Sequence, residues 1–159
     1  MTIAKYYLFA FLLVALDQVT KLLVYGYLKP YESIEINSFF SLTHVHNYGA
    51  AFSFLANENG WQQTFLVSIS AVASVAIIVW MAKTNSSQIA KLSALALILS
   101  GALGNLIDRA ALGFVIDFID LHYQDFYWPV FNVADIAIAL GVMLLILTDF
   151  KQDKKADHE

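Results

Sequence analysis

The stretch Gln63–Ala82, QTFLVSISAVASVAIIVWMA, runs for 20 residues without a charge and stops at Lys83. A hydrocarbon core is crossed by roughly 20 residues of helix. This segment therefore reads as a membrane span, and the rest of the chain can be measured against it. Three more stretches qualify, about 6–27, 89–107 and 132–149. The third opens near Lys91, whose stem can reach back to the interface, and runs to Asp108. The fourth follows Pro129 and ends at Asp149. Composition agrees: 59% of the 159 residues are hydrophobic and 14% charged, against roughly 45–50% and about 25% in soluble domains. The length suits one domain, 1–159, with outer segments 28–62 and 108–131.

The first span resembles a secretory leader, because Lys5 precedes the apolar run Tyr6 to Leu16. The helical pattern continues through Asp17 and Lys21 to Leu28 with no small-residue cleavage site, so an uncleaved span is expected. Lys5, Lys83, Lys91, Lys151, Lys154 and Lys155 fall on one side of the membrane; Lys29 and Arg109 fall on the other. Six against two predicts that both termini are cytoplasmic. Tyr25, Tyr27, Trp61, Tyr127 and Trp128 then form an aromatic belt at the outer ends of the spans.

The outer segments carry alternation. Ile34, Ile36, Phe40 and Leu42 alternate with Ser33, Glu35, Asn37 and Ser41; Leu112, Phe114, Ile116 and Phe118 repeat the period. Short strands are expected, forming a small sheet on the outer membrane surface. Asn57-Glu58-Asn59-Gly60 reads as a turn. The tail 150–159 is charged and expected to fray. With no cysteine in the chain, disulfides and thiol catalysis are excluded. A net charge of −4 gives no footprint for nucleic acid.

Polar residues inside apolar spans are the main clue to function. Asp17 and Lys21 share a helix face, and each would cost about 2.5–3.5 kcal/mol at the bilayer centre. Counted from Lys5 they lie roughly 18 Å and 24 Å along the helix, past the midplane. They read either as an ion pair that fixes packing or as chemistry. Gly101, Ala102 and Gly104 allow close helix approach. Asn105 needs partners at that depth. Asp108 and Arg109 are interfacial charges or, for Arg109, a grip on a carboxylate or carbonyl. Asn47-Tyr48-Gly49-Ala50-Ala51-Phe52 makes a turn or lets backbone approach a ligand. Asn132 is a natural N-cap with Asp135 three residues on, a cap-like pair. Yet Asp17, Asn105, Arg109, Asp117 and Asp135 all fall at one leaflet, which looks like a site. Two carboxylates there supply an acid and a base for peptide hydrolysis. Asp135 in a first helical turn favours its charged form, so Asp117 is expected to hold a shared proton. His44 and His46 share a strand face and, with His122 and a carboxylate, offer a rival metal site. A small ion- or proton-coupled transporter using Asp17 and Lys21 is the rival function.

In chain order, Asp17-Gln-Val-Thr-Lys21, Asn47-Tyr-Gly49-Ala50-Ala51-Phe52, Gly101-Ala-Leu-Gly104-Asn105-Leu-Ile-Asp108-Arg109, Val115-Ile-Asp117-Phe118 and Phe131-Asn132-Val-Ala-Asp135 resemble the lipoprotein signal peptidase (signal peptidase II) family. The resemblance covers everything but the tails. It implies a membrane all-α core of four transmembrane helices, an extracytoplasmic β-sheet cradle and a short outer-loop helix. It implies an aspartic endopeptidase of the bacterial cytoplasmic membrane that removes signal peptides from diacylglyceryl-cysteine prolipoproteins, on the amino side of that cysteine. Asp117 and Asp135 would be catalytic. Asn47, Gly49, Asn105, Arg109 and Asn132 would line the substrate site. Asp17, Lys21, Gly104, Asp108 and Asp120 would be structural. No metal or organic cofactor is implied. Partners would be lipid-modified prolipoproteins and membrane lipids, the protein a monomer, and globomycin an inhibitor.

Overall fold

A computed structural model describes residues 2–49 and 61–156 of the chain. Ala50–Phe52 and the expected turn Asn57–Gly60 lie outside the described residues. Four helices are long and apolar enough to cross a membrane: α1 (Ala4–Tyr27), α2 (Trp61–Lys83), α3 (Ile89–Leu112) and α4 (Val133–Ala156). Their outward faces are apolar, with Phe11, Leu22 and Val72 exposed by 66%, 64% and 69%. In water that arrangement would be costly; in lipid it is the one that works.

The helix ends follow local chemistry. The α1 helix stops at Leu28, whose extended backbone (φ −113°, ψ 137°) precedes Lys29-Pro30. Pro30 disfavours a helical Lys29, so the helix ends before that residue. The α3 helix continues past Asp108, where the sequence suggested an end, to Leu112. Gly113 stops it in the left-handed region (φ 80°), its N–H bonded to the Arg109 carbonyl. Charge did not end this helix, because Asp108 turns inward to buried partners. The α4 helix likewise continues to Ala156 rather than fraying after Asp149. Residues 150–156 include no glycine or proline to interrupt the backbone ladder.

Helix α3 is central and touches α1, α2 and α4. Half of its most apolar window is buried, against 22% or less in the others. Small residues set the approach to α4. A Cβ at Gly101 would run into the Ala134 carbonyl, one at Gly104 would meet the Asp17 carboxylate, and one at Gly141 would lie 2.8 Å from the Ala94 carbonyl. This is the close packing by which membrane helices associate without a hydrophobic driving force.

At one end of the bundle four antiparallel strands form a sheet in the order β1-β2-β3-β4: β1 (Ser33–Asn37), β2 (Phe40–Asn47), β3 (Val115–Tyr123) and β4 (Phe126–Tyr127). The edge strand β1 is exposed throughout, so its alternation of Ile34 and Ile36 marks no buried face. Leu112, counted in the strand period, belongs to α3. Among the described residues of 28–49 and 113–132 there is no helix. One detail positions the site. Phe131 bridges Ile119 of β3, with Ile119 N–H to Phe131 O at 2.8 Å and the return bond at 3.1 Å. That bridge sets the start of α4 beside the start of β3.

Two apolar clusters flank a polar layer. One gathers Tyr6, Ala10, Met81, Leu92, Leu95 and Leu99. The other gathers Val24, Leu28, Ile116 and Phe118 at the sheet end. Asp17 and Lys21 fall between them along α1, as Asn105 and Asp108 do along α3.

Candidate active site

The polar layer begins with Lys21, 1% exposed. Its three ammonium protons have three acceptors: Asp17 Oδ2 at 2.8 Å, Asp108 Oδ2 at 2.9 Å and Asn105 Oδ1 at 2.9 Å. An ammonium has three donors and no acceptor, so it is saturated. Asp17 Oδ1 accepts the Ala134 N–H at 2.8 Å, in the first turn of α4. A carboxylate there satisfies an otherwise orphaned donor and the positive end of the helix dipole. Asp108 also accepts the Ile116 N–H and the Gln18 side chain. Gln18 went unnoticed in the sequence, yet its amide also reaches the Gly104 carbonyl at 3.1 Å. Its signal was there: a polar side chain between two charged residues in an apolar span.

Asn105 is where this cluster meets a second one. Its Oδ1 takes Lys21, while its Nδ2 donates to Asp135 Oδ1 at 2.8 Å. Asn132 caps α4 as its sequence position suggests: its Oδ1 accepts the Asp135 N–H at 2.9 Å, and Asp135 Oδ2 accepts the Asn132 N–H at 3.3 Å. This is the reciprocal box of a helix N-terminus. The same Asn132, fully buried, turns its Nδ2 to Asp117 Oδ1 at 2.6 Å. Capping and site-building are thus one arrangement, where the sequence left them as alternatives. Asp117 sits on β3 opposite Val45, and its Oδ2 accepts the Asn47 amide at 2.9 Å.

Asp117 and Asp135 are therefore brought together by three asparagines, and among the described residues neither carboxylate forms an ion pair. Burial pushes the Asp117 carboxyl up to about 7, helped by the negative charge of Asp135; the Asn47 and Asn132 amides pull the other way and are outweighed. Both carboxylates open into a cavity of about 670 Å³ between α2, α3 and α4. Its walls are mostly apolar, including Leu66, Ile69, Ala102, Ile138 and Leu140, while Asn47, Asn105 and Arg109 join the two aspartates at its polar end. An apolar cleft with a few convergent polar groups is the ordinary form of a ligand site.

The other expected residues are spread over these two clusters and the sheet. Arg109 lines the cavity, and its Nη2 donates to the Gly49 carbonyl at 2.8 Å. The Gly49 N–H in turn bonds Asn47 Oδ1. Asp120 lies away from the cavity, accepting Thr43 Oγ1 at 2.7 Å, with Ser33 beyond it, in a chain across three strands. His44 and His46 do share a side, but their rings bond each other, and His122 lies by Asp120 and Tyr127 instead. Among the described residues no three His, Asp or Glu side chains group as a metal site would need.

The fold and this site define a class: a polytopic membrane protein with a paired-carboxylate pocket cut into the side of its bundle. The family model for signal peptidase (SPase) II matches residues 9–151. A lipoprotein signal peptidase of Pseudoalteromonas atlantica is 50% identical over 86% of this chain and 83% of its own length. One of Haemophilus influenzae is 47% identical over 88% and 82%. A solved bacterial membrane enzyme, determined by the in meso method, superposes with a TM-score of 0.86 at 32% identity, covering 96% of this chain and 91% of that one. The chain belongs to the signal peptidase II family, and it is a multi-pass bacterial membrane peptidase. The transporter alternative finds no support in these relatives.

Proposed function

We propose that this chain is an aspartyl endopeptidase that removes signal peptides from prolipoproteins bearing a diacylglyceryl cysteine, cutting on the amino side of that cysteine. The observation carrying this reading is that Asp117 and Asp135 are tied to the same Asn132, without an ion pair among the described residues, at the polar end of an apolar cavity. The relatives' shared name, lipoprotein signal peptidase, supports the substrate class. The excess of lysine at the far end of the bundle supports cytoplasmic termini and a site at the outer leaflet. The chain acts as one domain, 1–159, and as a monomer.

In the free enzyme Asp117 carries the proton and Asp135 acts as the base. Water lies between them. Asp135 takes a proton from water as its oxygen attacks the scissile carbonyl carbon, and Asp117 gives its proton to the carbonyl oxygen. The tetrahedral diol then collapses. The carbon–nitrogen bond breaks, the nitrogen leaves protonated as the amino group of the lipid-bearing cysteine, and the signal peptide leaves with a new carboxyl group. The proton taken by Asp135 goes to that nitrogen, and Asp117 recovers its own. Asn47, Gly49, Asn105, Arg109 and Asn132 line or brace the substrate site. An apolar signal helix occupies the cavity between α2 and α4. The acyl chains of the modified cysteine stay in the leaflet, so enzyme and substrate meet in one plane at raised effective concentration.

The test uses purified protein and a diacylglyceryl-modified prolipoprotein. Asp117→Asn and Asp135→Asn should each lower turnover by about 10²–10⁴-fold, while both variants still insert and unfold cooperatively. EDTA should leave the wild-type rate unchanged and globomycin should block it. Normal turnover by either variant excludes the dyad.

A further inference from the structure

The peptidase reaction as described leaves His44 and His46 unused. His44 is 1% exposed, and its Nδ1 lies 2.9 Å from the Leu28 carbonyl at the end of α1. A carbonyl only accepts, so Nδ1 carries the hydrogen and a neutral His44 presents a bare Nε2. That atom lies 3.1 Å from Nε2 of His46, which must therefore donate. His46 in turn stacks on Phe114 with ring centroids 3.8 Å apart and planes at 18°. Tyr25 from α1, Tyr31 from the α1–β1 turn and Tyr48 after β2 surround the pair. The result is a continuous clip from the end of α1, through two rings, to the residue that enters β3.

The clip sits where register matters most. The β2–β3 pairing shifts between Leu42 and Val45, a bulge that contains His44. Beyond it, Val45 pairs with Asp117 and Asn47 with Val115, and the Asn47 amide reaches Asp117 Oδ2. A one-residue slip in a strand turns each side chain to the opposite face, which would take Asn47 away from Asp117. Backbone bonds pin the same point: the His44 N–H donates to the Glu32 carbonyl at 2.9 Å, and the Tyr31 N–H to the His44 carbonyl at 2.7 Å. Bulges beside active sites commonly serve to re-aim a side chain.

We propose that His44 and His46 are positioning residues for peptide cleavage: joined ring to ring, they hold the end of β2 in the register that keeps the Asn47 amide on Asp117. This rests on the dyad reading given above. Asp117 is also faced by Asp135 from α4, Arg109 from α3 and Lys21 from α1, so the clip adjusts a site whose charges are set elsewhere.

His46→Phe keeps the stack on Phe114 and removes the donor. His46→Gln keeps an N–H near the Nε2 position. His44→Asn keeps the donor to Leu28 and removes the acceptor, and gives a second route should one variant fold poorly. With the full-length protein and a diacylglyceryl-modified prolipoprotein peptide, His46→Phe should lower kcat about tenfold with KM nearly unchanged. The alkaline limb of the kcat profile reports Asp117 losing its proton. It should move to higher pH, because an amide that favours the ionised form is no longer held in place. His46→Gln should restore both rate and limb. Asn47→Ala should move the limb the same way, and the Asn47→Ala/His46→Phe double variant should add little further, as expected of residues acting through one contact. A wild-type rate and limb in His46→Phe would overturn the proposal. So would a loss of rate with the limb unmoved and no rescue by glutamine, which would mean the ring only fills space. If Asp117→Asn were active, the dyad reading would fail by itself, whatever the histidine variants do.

Discussion

Asp17 and Asp108 share a lysine; Asp117 and Asp135, across the same polar layer, share an asparagine, Asn132. The first pair is closed. Lys21 is saturated, Asp17 also caps α4, and Gln18 and backbone N–H groups take the remaining oxygens. The second pair is open. Among the described residues its oxygens accept amides but no cation, and it faces a cavity. A carboxylate whose oxygens are taken up by a buried ammonium and backbone donors is a packing element. Asp117, hydrogen-bonded by neutral amides and pushed up to about 7 by burial, is left free to exchange a proton near neutral pH. The contrast lies in the partners, since all four residues are the same type.

The sharpest way to break the comparison is to open the closed side. Lys21→Met leaves two carboxylates buried without their cation and should destabilise the protein by about 3–5 kcal/mol. Thermal unfolding in detergent should show a large fall, together with poor accumulation in membranes. A variant as stable as wild type would mean that this cluster does not hold the bundle.

Asn105 belongs to both sides, since its oxygen takes Lys21 and its nitrogen serves Asp135. Asn105→Ala should therefore cost about 1–3 kcal/mol of stability and also lower kcat in the folded fraction. Loss of stability with a normal kcat would show that the two clusters are separable.

How much of this could be read from the sequence depends on the kind of interaction. The spans were legible because apolar runs of that length have one common use. The meeting of Asp117 and Asp135 at one end followed from topology. What the sequence could not give was pairing. Asp108 read as an interfacial charge, because nothing local says that Lys21, 87 positions earlier, turns toward it. The end of α3 was placed early for the same reason. Gln18 is overshadowed by the charges on either side of it, although its depth in the span asks for partners as that of Asn105 does. The capping reading of Asn132 and Asp135 was sound, but a cap at a helix start does not reveal that its free amide points at a strand. The β2 bulge that sets Asn47 beside Asp117 leaves no mark in the period of alternation.

A smaller effect sharpens the comparison from the open side. A carboxyl raised from 3.8 to about 7 in the folded state binds its proton more tightly there than in the unfolded chain. Its contribution to stability is complete below the unfolded value and is lost as pH rises through the folded one. At about 1.4 kcal/mol per unit, this amounts to about 4 kcal/mol between those limits. Asp117→Asn removes that dependence and introduces an amide facing amide donors, a mismatch of about 1–3 kcal/mol. The variant should be more stable than wild type by about 1–3 kcal/mol at pH 8 and lose that advantage below pH 5. Equal pH dependence in the two proteins would place the ionisation elsewhere.

The most direct test is an infrared titration of the free enzyme, following the carbonyl stretch of buried protonated carboxyl groups between pH 5 and 9. The account predicts one such band that fades with a midpoint near 7 and is absent from Asp117→Asn. A band that persists in Asp117→Asn, or no protonated carboxyl at pH 6, would contradict it.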